Sequence, residues 1–124
     1  MKNRKFYPVY TGVLKYFPDA IREIAKCSYI GNKQHNPDKE LHWDRNKSGD
    51  ELDALTRHLL QAGTTDEDGI KHSTKVAWRA LSNLQKELWL VKKITKMLGY
   101  EDCGCDRRKE ALNNLTINRN AKKD

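Results

Sequence analysis

No apolar stretch of this chain approaches the roughly 20 residues that a membrane-crossing helix needs, so none reads as a span. The start, Met1-Lys2-Asn3-Arg4-Lys5, is basic, but no hydrophobic region resembling a signal peptide follows it. Cysteine is scarce: Cys27, Cys103 and Cys105 are an odd set, which fits a reducing compartment better than a disulfide framework. The cytoplasm is therefore the expected location. Cys103-Gly104-Cys105 lacks the C-x2-C spacing and second ligand pair of a zinc site, and no histidine follows it. Two small buried residues before a helix is the simpler reading. No internal repeat is present.

What the chain has in quantity is charge. Its 124 residues suit one domain with a modest core. Lys and Arg number 24 against 17 Asp and Glu, a net charge of +7, so the surface is mixed with a basic surplus. That surplus favours anionic partners, although a well-hydrated surface would look the same. The basic end (Arg107, Arg108, Lys109, Arg119, Lys122, Lys123) is compatible with nucleic acid, but no recognition motif accompanies it, so that partner ranks last.

The periodicity predicts an all-α fold, a small helical bundle with one long helix in the C-terminal half. Residues 1–17 read as an irregular, extended aromatic arm, with Phe6, Tyr7, Tyr10, Tyr16 and Phe17 punctuated by Pro8 and Gly12. A helical domain over 18–98 follows, then a short basic helix and tail over 99–124. Pro18 suits a first helical turn, and Ala20, Ile21, Ile24, Ala25 and Ser28 carry that helix to about residue 30, with Gly31-Asn32 as its stop. Residues 32–47 form a polar loop. Ser48 with Glu51 is a capping box that starts a second helix, whose Leu52, Leu55, Leu59 and Ala62 form an apolar stripe ending at Gly63. A third helix is expected from about Ile70 to Leu98, with Ala77, Leu81, Leu84, Leu88, Val91 and Leu98 at near-heptad spacing. At about 1.5 Å per residue it exceeds about 40 Å, so its far half is expected to pack on a second copy of the chain.

All four histidines fall between Lys33 and Arg79, among carboxylates, cations and two tryptophans. Packing does not call for that mixture; a small polyanion with a stackable ring, a nucleotide, does. Helical steps of three and four put His72, Lys75 and Arg79 on one face, beginning at a helix start where free amides favour anions. Arg57 and His58 are placed to close the other side, with Lys33 and His35 coming from the loop. The plain alternative is a solvated cationic face. Asp50 and Asp53, one turn apart, match a hard divalent cation, with Asp66 and Asp68 near enough in sequence to contribute. Equally, Asp50 belongs at a helix start for dipole reasons, and Asp53 can pair with Arg57. Trp78 lies beside the apolar stripe and reads as core; Trp43 stays open between core and base stacking.

These residues also carry a likeness. Lys15-Tyr16-Phe17-Pro18, Gly31-Asn32-Lys33-Gln34-His35-Asn36-Pro37, Leu41-His42-Trp43, Asp50 with Asp53-Ala-Leu-Thr-Arg57-His58, Gly63-Thr-Thr-Asp-Glu-Asp-Gly69, His72 and Lys75-Val-Ala-Trp-Arg79-Ala-Leu resemble a phage-associated family of dATP/dGTP diphosphohydrolase-like proteins. That family is related to the MazG-type all-α NTP pyrophosphohydrolases. The resemblance spans about Lys15 to Glu87. It implies a helical bundle, oligomeric as a rule, that hydrolyses a purine deoxynucleoside triphosphate to monophosphate and pyrophosphate with Mg²⁺ or Mn²⁺. Asp50 and Asp53 would be catalytic, and Asp50, Asp53 and Asp66 the metal ligands. Arg57, His58, His72, Lys75 and Arg79 would hold phosphate, with Lys33, His35 and Trp43 near the ligand. The likeness puts such a protein in the host cytoplasm if phage-encoded. The chain departs from the MazG pattern in having no Glu-x-x-Glu on its first helix, where only Asp19 and Glu23 stand. A binder that sequesters a nucleotide, a signalling one for example, without cutting it therefore stays beside the hydrolase as the alternative.

Overall fold

The computed structural model describes residues 4–99 of the chain. The expected C-terminal helix, with Cys103 and Cys105, lies outside the described residues. The fold is all-α: among the described residues no strand forms, and the one bridge pairs Thr65 with Lys71. Two compact units divide the chain. One is Val9–Glu87; the other joins Met1–Pro8 with Leu88–Asp124.

In the Val9–Glu87 unit the aromatic arm is helical, not extended. Tyr10–Leu14 form one π turn, closed by Lys15 N donating to Tyr10 O. The chain then runs straight into α1, with Phe17 N on Val13 O and Ile21 N on Phe17 O. Helix α1 spans Pro18–His35, with Pro18 at its first turn and Asp19 favoured there by the dipole. It overruns the expected stop at Gly31-Asn32 by a turn. Asn32 is the reason: buried within the helix, its side chain accepts from His42 N at 3.3 Å and donates to Lys39 O, so it fastens the following loop instead of ending the helix. Asn36 then caps α1, just before Pro37, which cannot continue it.

Helix α2 covers Glu51–Leu59, three residues later than the Ser48 start, and the capping box is not made. Ser48 Oγ donates to Asp50 Oδ1 at 2.9 Å, and Glu51 reaches Lys86 Nζ at 2.7 Å. The leucine stripe is not the buried face either. Leu52 and Leu59 are more than half exposed and Leu55 is half-buried, while Glu51 and Ala54, on the adjacent face, are buried. The helix ends before Gly63, which turns the chain at φ +90°. Helix α3 runs from His72 to Met97, with Ile70 and Lys71 left to the preceding loop. Its Leu81 and Leu84 remain about half exposed. Among the described residues only Ala54 and Ile70 are fully buried apolar side chains.

A buried carboxylate therefore does work that apolar area does not. Glu51 is 6% exposed, and Lys86 binds both its carboxylate and the Ser48 carbonyl. The Lys86 bond holds the Glu51 carboxyl below the usual range. Lys86→Met leaves that charge without its ammonium partner and is expected to cost about 1.5 kcal/mol, the low end for charged bonds because Lys86 is partly solvated. Urea unfolding at pH 7 checks this, and the deficit should shrink in Lys86→Met/Glu51→Gln.

In the other unit, Arg4–Phe6 form a 3-10 turn, and Thr95 is buried with its hydroxyl on the Val91 carbonyl.

Candidate functional site

A cavity of about 360 Å³ opens in the Val9–Glu87 unit between α1, the 36–50 loop, α2 and the start of α3. It falls within the usual range for small-molecule sites. Its lining brings together five of the residues singled out from the sequence: His35, Trp43, His58, Lys75 and Arg79. Trp78 joins them. It is half-buried and meets Trp43 edge to face, with ring centroids 6.1 Å apart and planes at 72°, so it walls the cavity rather than filling a core. This pair is an apolar surface for a flat ring.

Cations share the same lining. Arg79 Nη1 donates to Ser48 Oγ at 3.4 Å, and among the described residues it forms no ion pair. Its remaining donors suit an anion. Lys75 is engaged: its ammonium lies 2.6 Å from Asp66 and 2.7 Å from Asp68. Burial pushes the Lys75 amine down, and the two carboxylates more than reverse this, so it stands above the usual lysine range. The Lys75 bond holds Asp66 down at about 2. Burial pushes Asp68 up, but the Lys75 bond and the Ile70 amide bring it below the ordinary range.

The 64–72 loop fixes this arrangement. Asp66 N donates to Ile70 O at 2.9 Å, Gly69 N to Asp66 O, and His72 N to Thr64 O. Gly69 sits at φ +80°, a backbone region costly for side chains. The loop holds Asp66 beside two imidazoles. His72 is buried behind His58, with Nδ1 atoms 2.9 Å apart. Ligand atoms of His58, Asp66 and His72 all lie within 4.8 Å of one another. Burial pushes the His58 pKa down, and Lys75 adds to that, so the ring is biased towards its neutral form.

Other expected residues lie elsewhere. Lys33 is exposed, with its ammonium 5.6 Å from the Tyr29 ring centroid. Arg57 turns to Asp50, 3.1 Å away, and that bond lowers the Asp50 pKa. Asp53 is exposed. Asp50, Asp53 and Arg57 are not in the cavity lining, and the Asp50–Asp53 pair does not join the His58–Asp66–His72 group. The lining also recruits Cys27, Ser28, Gly31, Asp44 and Lys47. Helical spacing of 27, 31 and 35 would have placed the α1 members on one face. Burial pushes the Cys27 thiol up, so it stays protonated.

The family described as dATP/dGTP diphosphohydrolase, N-terminal, matches residues 6–94. No curated protein and no solved structure gives a significant match. The matched segment contains the whole cavity lining and takes in most of the chain, which belongs to the dATP/dGTP diphosphohydrolase N-terminal family.

Proposed function

We propose that this protein hydrolyses a purine deoxynucleoside triphosphate, dATP or dGTP, to the monophosphate and pyrophosphate, acting in the cytoplasm. The observation that carries the reading is one cavity lined both by an indole pair and by a guanidinium that, among the described residues, forms no ion pair with a carboxylate. The base is assigned to Trp43 and Trp78, and the phosphates to Arg79 and Lys47, with Lys75 beside them. The implied Mg²⁺ or Mn²⁺, when bound, supplies charge neutralisation and an activated water. Asp66 and Asp68 are the acidic candidates best placed for it: Asp68 lines the cavity, and both bind Lys75, which lines it too. The protein's own residues stack the base, orient the phosphate chain and exclude water from one side.

The test is chromatography of each of the four dNTPs after incubation with the protein and Mg²⁺ or Mn²⁺. The expected result is dAMP or dGMP with pyrophosphate and no diphosphate. Absence of pyrophosphate from all four overturns the reading. Recovery of a bound nucleotide intact would then favour sequestration, a role compatible with a lining richer in cations than in free carboxylates. Arg79→Ala is expected to weaken nucleotide binding by about 10- to 100-fold, the loss of a charged hydrogen bond. Trp43→Ala should weaken it similarly through lost stacking. We also propose self-association through α3, whose half-exposed Leu81 and Leu84 supply the apolar surface. Light scattering of Leu81→Glu/Leu84→Glu, expected to be monomeric, reads it out.

A further inference from the structure

We propose that His58, His72 and Asp66 form a site for a divalent transition-metal ion, two imidazole nitrogens and one carboxylate oxygen on one side of the ion. This deepens the proposed activity by naming the ligands of its metal; of the all-carboxylate set Asp50, Asp53 and Asp66 it keeps only Asp66.

The spacing supports it. Two nitrogens about 2.1 Å from a shared ion, at right angles, are about 3.0 Å apart. The two Nδ1 atoms are 2.9 Å apart. In a direct hydrogen bond one ring would donate and the other accept, which occupies both nitrogens but leaves the Asp66 oxygens out. The three-residue group within 4.8 Å includes them.

Supporting contacts are already made. One Asp66 oxygen accepts from Glu67 N at 2.8 Å, the other from Lys75 at 2.6 Å. Each keeps a lone pair, and such outer bonds fix the aim of a ligating carboxylate. The hydrogen bonds of the 64–72 loop hold Asp66 and His72 at a set separation. Access is through the cavity, because His58 lines it while His72 is buried behind. Three ligands leave coordination positions on the cavity side for phosphate oxygen or water. Nitrogen donors select Co²⁺ or Zn²⁺, and more weakly Mn²⁺, over Mg²⁺, which prefers oxygen.

The experiment uses the full chain, stripped with chelator and free of nucleotide. Co²⁺ is titrated and followed by its visible absorption, and Mn²⁺ by loss of the free-ion EPR signal. Binding of one ion per chain is expected, with ¹⁴N couplings from two imidazoles in pulsed EPR of bound Mn²⁺. His58→Gln and Asp66→Asn should each weaken Co²⁺ by about 100-fold or more. Asp50→Asn should leave the titration unchanged. No bound ion at millimolar Co²⁺ and Mn²⁺, a bound Mn²⁺ without nitrogen coupling, or wild-type affinity in both weakened variants each overturns the site. Folding of the variants is checked by circular dichroism, and the nitrogen couplings are read on unmutated protein. If pyrophosphate is released while these signals are missing, the ligand assignment fails and the activity stands. If the ion binds through both imidazoles and no dNTP is cut, the activity fails and the site stands.

Discussion

Ile70→Ala should destabilise the protein by about 3 kcal/mol, the cost of removing a fully buried branched side chain and leaving a cavity. Ile70 is 1% exposed, and it is the largest fully buried side chain among the described residues. It also sits inside the loop that closes on the site: its carbonyl accepts from Asp66 N, and its amide donates to Asp68 Oδ1 at 3.0 Å. The loss should therefore appear twice, in urea unfolding and as weaker metal or nucleotide binding by folded protein. Ile70→Val should lose about 1 kcal/mol and keep binding. A loss below about 1 kcal/mol for the alanine variant would mean the loop is held by its hydrogen bonds alone.

Lys75→Met is the second large effect, about 2.5 kcal/mol at pH 7. Lys75 and Asp68 have side chains only 17% and 15% exposed, and removing the ammonium leaves partly buried carboxylates facing each other. The pH dependence carries a sign. The folded pKa of Asp66 is depressed from 3.8 to about 2, so its stabilisation is fully present above about pH 4 and is lost as the pH falls to about 2. Without Lys75 that depression is largely removed, and the acid limb of stability should flatten. The gap between wild type and variant should narrow from pH 4 to pH 2. A gap of constant size across that range contradicts the ion-pair account.

Much of this architecture was legible in the chain, for reasons that differ by element. Pro18 marked the start of α1 because a proline fixes the first turn, and the turn at 64–69 was visible in its glycines and acids. The end of α1 was not visible, because Asn32 looks like a stop and acts as a fastener for a loop seven to ten residues away. Leu52 and Leu59 were misleading in another way: their spacing marks a coherent face but not whether anything covers it, and they are exposed. Ser48 and Glu51 had the capping spacing, yet the neighbouring Asp50 took the Ser48 side chain and the distant Lys86 took Glu51. Of the candidate site, Trp43, His58, Lys75 and Arg79 were found through composition and helical steps. Asp66 was found as an acid in a turn. Its grouping with His58 and His72 was hidden, since those histidines are 14 residues apart and meet only through backbone turns at Gly63 and Gly69.

The hydrogen-bonded loop has a further consequence, for exchange with solvent. The amides of Asp66, Gly69 and His72 are each paired within nine residues of chain, so they are expected to open as one unit. The 36–50 loop has two short-range backbone bonds of its own, Lys39 N to Asn36 O and Lys47 N to Asp44 O, plus Asn46 N on the exposed Asp44 carboxylate and the tether to Asn32. Deuterium should enter it long before it enters residues 64–72. The two segments are thus expected to open on separate clocks: the 36–50 loop, which brings Trp43 to the cavity, would admit and release a ligand while the 64–72 loop, which holds Asp66 and His72 behind it, keeps its geometry.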